Sequence, residues 1–141
     1  MRIILLSALL ITSLTTVAAD NTTIKRHQLN EWEKDIGYSG VVEVNNQLFI
    51  SGVACSGKTM EEAVKYCYTT VQDILKKFNT TSGQIIKETV YTTDIDALIK
   101  AIPTRKSFFN QGQYPAATWV QISRLYSPEV LLEVELIVQR K

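Results

Sequence analysis

The sequence predicts an α+β domain built on a single mixed β-sheet with two helices on one face. Three observations carry this. Runs of β-branched and aromatic residues stand near both ends of the chain, at Val41 to Val53 and Thr118 to Val138, and their alternating polarity marks strands. Between them, Thr59 to Phe78 repeats its apolar residues at helical spacing. A further strand, Ile85 to Thr93, separates this helix from a second helical stretch that ends near Asn110. The order is β-β-α-β-α-β-β. Helices lodged between strands, with hairpins at both ends, argue for α+β. One sheet face is then left uncovered, and self-association is the economical way to cover it.

Each element has a local reason. Asp20 to Asp35 is polar, groups Lys25, Arg26 and His27, and reads as an irregular arm anchored by Trp32. His27, set among charges, reads as a solvated surface residue. Val41 to Val44 and Leu48 to Val53 form a hairpin around Asn45-Asn46, residues that tolerate positive φ. Thr59 is placed to cap the long helix, with Glu62 completing a capping box. Ala63, Cys67, Val71, Ile74, Leu75 and Phe78 form its buried stripe. The fragment Gly57-Lys58-Thr59 lacks the upstream glycine of a phosphate loop. Asp94-Ile95-Asp96 can cap the helical stretch beyond it. Pro103 is tolerated in a first turn but not in an interior, so a short turn and then a helix over 103–110 are expected. Thr118 to Ile122 and Val130 to Val138 read as a closing hairpin around Tyr126-Ser127-Pro128-Glu129.

Alternation assigns faces to that closing stretch. Leu132, Val134, Leu136 and Val138 share one face, and Leu131, Glu133, Glu135 and Ile137 the other. Ala117 and Trp119 share a face of the preceding strand. The Glu133/Glu135 face is either a solvated outer face or a cleft lined by carboxylates and an indole.

The chain has 141 residues, which suits one domain, and a formal net charge of +1. So balanced a charge offers nucleic acid or an anionic membrane no strong field. Met1-Arg2, the apolar run Ile3 to Leu14 and the small residues Val17-Ala18-Ala19 have the layout of a secretory signal peptide, residues 1–19, cleaved after Ala19. Of 15 basic side chains only Arg2 is lost with it, leaving 14 against 14 acidic ones. No stop-transfer pattern comes after it, so no membrane association is expected after cleavage, and the mature chain would be periplasmic or secreted. In an oxidising compartment the two cysteines, Cys55 and Cys67, read as a disulfide or as two small buried thiols. Two cysteines and one histidine make a poor metal set, and no metal or cofactor is expected.

The run Tyr114-Pro115-Ala116, then Thr118-x-Val120-Gln121-Ile122, Arg124-Leu125 and Leu132-Glu133-Val134-Glu135-Leu136-Ile137 is similar to the C-terminal signature of the RidA (YjgF) family. The family is also known as reactive-intermediate imine deaminases or, in older naming, L-PSP endoribonucleases. Phe49-Ile50-Ser51-Gly52, Glu88 to Asp94 and Ser107-Phe108-Phe109 resemble further family segments, so the likeness spans residues 36–141, leaving 20–35 as an N-terminal arm. The resemblance implies a chorismate-mutase-like fold and a homotrimer with ligand clefts between subunits. By position it implies Tyr38 and Ser51 as pocket residues and Glu133 as the catalytic carboxylate that holds an attacking water. In catalytic relatives an arginine clamps the substrate carboxylate; its position here is Ala117. Trp119, two residues on, would project into the same cleft, as a ligand contact or as interface packing.

A guanidinium gives bidentate recognition of a carboxylate, and a methyl group gives none. The reading is therefore an exported RidA-like protein that binds a small metabolite in trimer clefts and is a poor 2-imino acid deaminase. One alternative is an enamine/imine deaminase of the 2-iminobutanoate/2-iminopropanoate type that uses other residues. Another is a chaperone- or ribonuclease-like interaction protein. A ribonuclease needs acid–base groups and a basic groove, and one histidine with balanced charge argues against it.

Overall fold

The computed structural model describes residues 22–110 and 112–141. The expected signal peptide, residues 1–19, lies outside the described residues. The elements in chain order are β1 (Ile24–His27), α1 (Trp32–Ile36), β2 (Val41–Val44), β3 (Gln47–Ser56), α2 (Met60–Lys77), β4 (Ile85–Thr92), α3 (Ile95–Lys100), α4 (Ile102–Lys106), β5 (Ala116–Gln121) and β6 (Val130–Gln139). The six strands form one sheet in the order β1-β2-β3-β6-β4-β5. All neighbours are antiparallel except β4 and β5, which run parallel. The expected single mixed sheet is present.

The long helix forms for the reasons read from its sequence. The Glu62 backbone N–H donates to the Thr59 hydroxyl at 3.2 Å, and the Glu62 carboxylate accepts from the Lys58 N–H at 2.9 Å. The stripe Ala63, Cys67, Val71, Ile74 and Leu75 is buried. It rests on β3 and β6 and meets α3 and α4 alongside. Beneath it Leu48, Leu132, Val134 and Val138 are fully buried. Each such side chain contributes about 1.5–3 kcal/mol of burial free energy. Cys55 of β3 is bonded to Cys67 of α2, with Cα atoms 5.4 Å apart, so the disulfide reading holds. Asn45 takes φ 51° at the β2–β3 turn, as its residue type allows.

The closing hairpin does not form. β5 pairs in parallel with β4, and β4 lies between β5 and β6. Residues 122–129, longer than a tight turn needs, carry the chain past the end of β4. The helices α3 and α4 make the β4–β5 connection a crossover, which places consecutive strands parallel.

Three further expectations change. The stretch 20–35 is not wholly irregular, because β1 extends the sheet beside β2 and α1 comes after it. The ladder from Ile24–Val44 to His27–Val41 holds β1 there, and Lys25 and His27 lie 3.8 and 3.5 Å from Glu43 of β2. His27 is accordingly not a freely solvated residue, and its ring stands edge-on to Phe78 with centroids 5.1 Å apart. Helix also begins before Pro103, because the Asp94 side chain accepts from the Ala97 N–H at 2.9 Å and caps α3. Pro103 then falls in the first turn of α4, which ends at Lys106, short of Asn110.

Candidate functional site

The candidate site begins at a break in the sheet. The pairing of β3 with β6 shifts register between Ile50 and Val53, so Ser51-Gly52 forms a bulge. A bulge re-aims side chains and opens a strand pair locally. Across it Glu133 lies opposite Ala54, and its carboxylate passes over Gly52. A Cβ on Gly52 would collide with the Glu133 carboxylate, so glycine is the residue that lets Glu133 lie there. The Ser51 hydroxyl donates to the Ser39 carbonyl at 2.7 Å, tying the bulge to the segment that carries Tyr38.

That segment is held by a buried carboxylate. Glu33 of α1 is 2% exposed. It accepts from the backbone N–H groups of Leu29, Asn30 and Gly40 at 2.9, 3.1 and 2.9 Å, and from the Asn30 side-chain amide at 3.1 Å. Charge-assisted bonds of this kind are among the stronger ones available to a loop. Gly37, at φ 88°, ends α1 and turns the chain toward Tyr38.

Tyr38, Ser51 and Glu133 line one pocket of about 800 Å³, together with Trp32, Glu33 and Ile36 of α1 and with Tyr66, Thr70, Asp73 and Lys77 of α2. Tyr126 adds a further aromatic ring. Burial, and then the neighbouring Glu135, push the Glu133 carboxyl above the usual carboxylate range. Burial, then Glu33 and Glu133, push the Tyr38 phenol up in the same way. The pocket can thus hold a polar group against a carboxylate of raised proton affinity.

Ala117 and Trp119 are elsewhere. The β4–β5 register pairs Glu88 with Ala117 and Val90 with Trp119, on the sheet face that carries the helices. Glu133 pairs with Tyr91 on the other face. The indole does not project toward Glu133 but turns inward, and its N–H donates to Glu88 at 3.2 Å. Ala117 is exposed on the outermost strand.

Beside Trp119 is a cluster that the sequence did not announce. Glu88 is fully buried. It accepts from Tyr68 Oη at 2.9 Å and from Arg105 Nε at 2.9 Å. The Arg105 guanidinium stands 4.8 Å from the Phe109 ring centroid and 5.3 Å from that of Trp119. Burial, then the Glu88 charge, hold the Tyr68 phenol well above its usual value. Arg105 is therefore a cation close to the Ala117 end of β5, but one already engaged by Glu88.

The family model described as endoribonuclease L-PSP matches residues 30–140. The chain belongs to this family, also called RidA or YjgF. A RutC family protein of Pyrococcus abyssi is 28% identical over 117 residues, covering 77% of this chain and 91% of that one. A member of the YjgF/YER057c/UK114 family from Mycobacterium tuberculosis superposes with a TM-score of 0.75 at 19% identity, covering 83% of this chain and 99% of that one. A Pseudomonas aeruginosa protein of unknown function superposes with a TM-score of 0.74 at 25% identity, covering 84% and 93%.

Proposed function

We propose that the protein is an exported, homotrimeric member of the family that binds a small metabolite at the Tyr38–Ser51–Glu133 pocket and has weak 2-imino acid deaminase activity at most. One observation carries the reading: the chain has the carboxylate of the site but no free cation at the position of the family's arginine. Ala117 offers a methyl group, and the nearby guanidinium of Arg105 is spent on Glu88. Within one chain Ala117 lies on the opposite sheet face from Glu133, so a clamp at that position would reach a 2-imino acid such as 2-aminoacrylate at Glu133 only across a subunit interface, and Ala117 carries none. Hydrogen bonds to charged groups contribute about 1.5–3 kcal/mol, so losing the clamp should slow hydrolysis about ten- to a hundredfold.

Two features support assembly and export. The sheet face away from the helices leaves Phe49 39% and Val120 38% exposed, a surface that further copies would cover. The disulfide suits an oxidising compartment.

The test couples an amino-acid dehydratase to keto-acid detection and compares the wild type with Ala117→Arg. A wild-type rate equal to that of an arginine-bearing relative would sink the reading in favour of a deaminase that uses other residues. Light scattering of the mature chain should report three subunits, and sequencing of exported material should begin at Asp20.

A further inference from the structure

The pocket holds an arrangement that favours one class of ligand. Trp32 and Tyr38 stand edge to face, with ring centroids 5.7 Å apart and planes at 68°, forming an aromatic corner in the wall. Both are open to solvent, at 50% and 36% exposure, although rings of this size are ordinarily drawn into a core. Tyr66 and Tyr126 extend the aromatic lining. Among the described residues, no hydrogen bond or ion pair reaches the Glu133 carboxylate.

The charges in the lining are unequal. Among the described residues of the lining, Glu33, Asp73 and Glu133 face one cation, Lys77, in the last turn of α2. Asp73 is bridged by Lys76 at 3.0 Å. Glu33 is taken up by its four N–H donors. The Glu133 carboxylate therefore lacks a counter-ion of its own. Aromatic faces attract organic cations, most strongly where water is partly excluded. A carboxylate beside them fixes the position of the charge.

We propose that this pocket takes an organic ammonium ion, with its cationic head between the Trp32–Tyr38 corner and the Glu133 carboxylate. This rests on the pocket assignment made above and adds the ligand's charge class. An anionic 2-oxo or 2-imino acid is disfavoured at the same place by Glu33 and Glu133.

The experiment titrates the folded mature chain with butylammonium, butyltrimethylammonium and 2-oxobutanoate at matched ionic strength. Calorimetry gives affinity, and amide chemical shifts locate the site. Both cations should bind with shifts at Tyr38, Ser51 and Glu133, and should weaken as salt is raised. Glu133→Gln should weaken butylammonium, whose N–H groups can donate to the carboxylate, about tenfold or more, and butyltrimethylammonium, which has no N–H and loses charge attraction alone, by less. Trp32→Ala, at an exposed residue, should weaken butyltrimethylammonium about two- to fivefold, and Trp32→Phe should restore most of that. Asp96→Asn, on α3 away from the pocket, should change nothing. Melting curves establish that each variant is folded. If 2-oxobutanoate binds at these residues as tightly as the cations, the ammonium assignment is overturned while the pocket assignment stands. If none of the three ligands perturbs the pocket, both are overturned.

Discussion

Replacing Arg105 with methionine should be one of the most damaging single changes to this fold that keeps side-chain size. The substitution preserves an apolar stem against Phe109 but removes the partner of a carboxylate with no access to water. Glu88 would keep the Tyr68 hydroxyl and the Trp119 N–H, at 2.9 and 3.2 Å, and lose the positive charge bonded to it. Breaking a buried pair from one side costs about 3–5 kcal/mol. With two neutral donors remaining, we expect the lower end, about 3 kcal/mol. At a urea m-value of about 1.5 kcal/mol/M, the midpoint should fall by about 2 M. The assay is urea unfolding at one fixed protein concentration, because assembly adds a concentration-dependent stabilisation. Adding Glu88→Gln to the methionine variant removes the stranded charge and should recover part of the loss. A single variant losing under about 1 kcal/mol, or a double variant no better than the single, would show that the Glu88–Arg105 contact is not what stabilises this cluster.

Two further outcomes rest on the geometry. The Cys55–Cys67 bond spans 12 residues and should contribute about 3 kcal/mol by chain entropy; Cys55→Ser/Cys67→Ser should lose that amount, and thiol titration of unfolded, unreduced wild type should find no free sulfhydryl. Burial works against the Glu43 charge, but Arg140 at 2.8 Å and then Lys25 overcome it and hold the carboxyl below its ordinary 4.5. A depressed carboxyl stabilises the fold above its unfolded value, and that stability fades as pH falls through the folded value. Glu43→Gln should therefore lower the melting temperature at neutral pH and converge with wild type in acid; a gap that stays constant down to about pH 2.5 would refute the role of the charge.

Local chemistry was legible where it acts over short sequence distances. The Thr59 cap, the helical stripe, the Asn45 turn and the alternation of Leu132 to Val138 are set by nearest neighbours, and the structure keeps them. The closing hairpin was misread because Thr118 to Ile122 and Val130 to Val138 satisfy the strand pattern whether or not they pair. Only the crossover through α3 and α4 decides that they do not. Alternation gave the correct face for Glu133 within its strand but could not relate it to the face of Trp119, since that depends on β4 lying between the two strands. Tyr38, Ser51 and Glu133 are spread over 38–133, and a family likeness, not periodicity, picked them out together. The Glu88–Arg105–Tyr68 cluster left no trace, because a charged residue on a short helix reads as solvated until the partner it buries against is known.

The place of β6 in the sheet has a bearing on synthesis. It is the last of the described strands and stands between β3 and β4, which have no ladder with each other. The first three strands can pair among themselves with α2 laid on them and Cys55 near Cys67, and β4 can pair with β5 through its crossover. The two halves of the sheet share no ladder until Val130–Gln139 has been made. The ladder between the two halves is thus closed by β6, while α2 spans both through its contacts with α3 and α4 and the Tyr68–Glu88 bond. A chain cut before Val130 would leave Ile50, Val53 and Cys55 on one side and Glu88, Val90 and Thr92 on the other without their β6 partners.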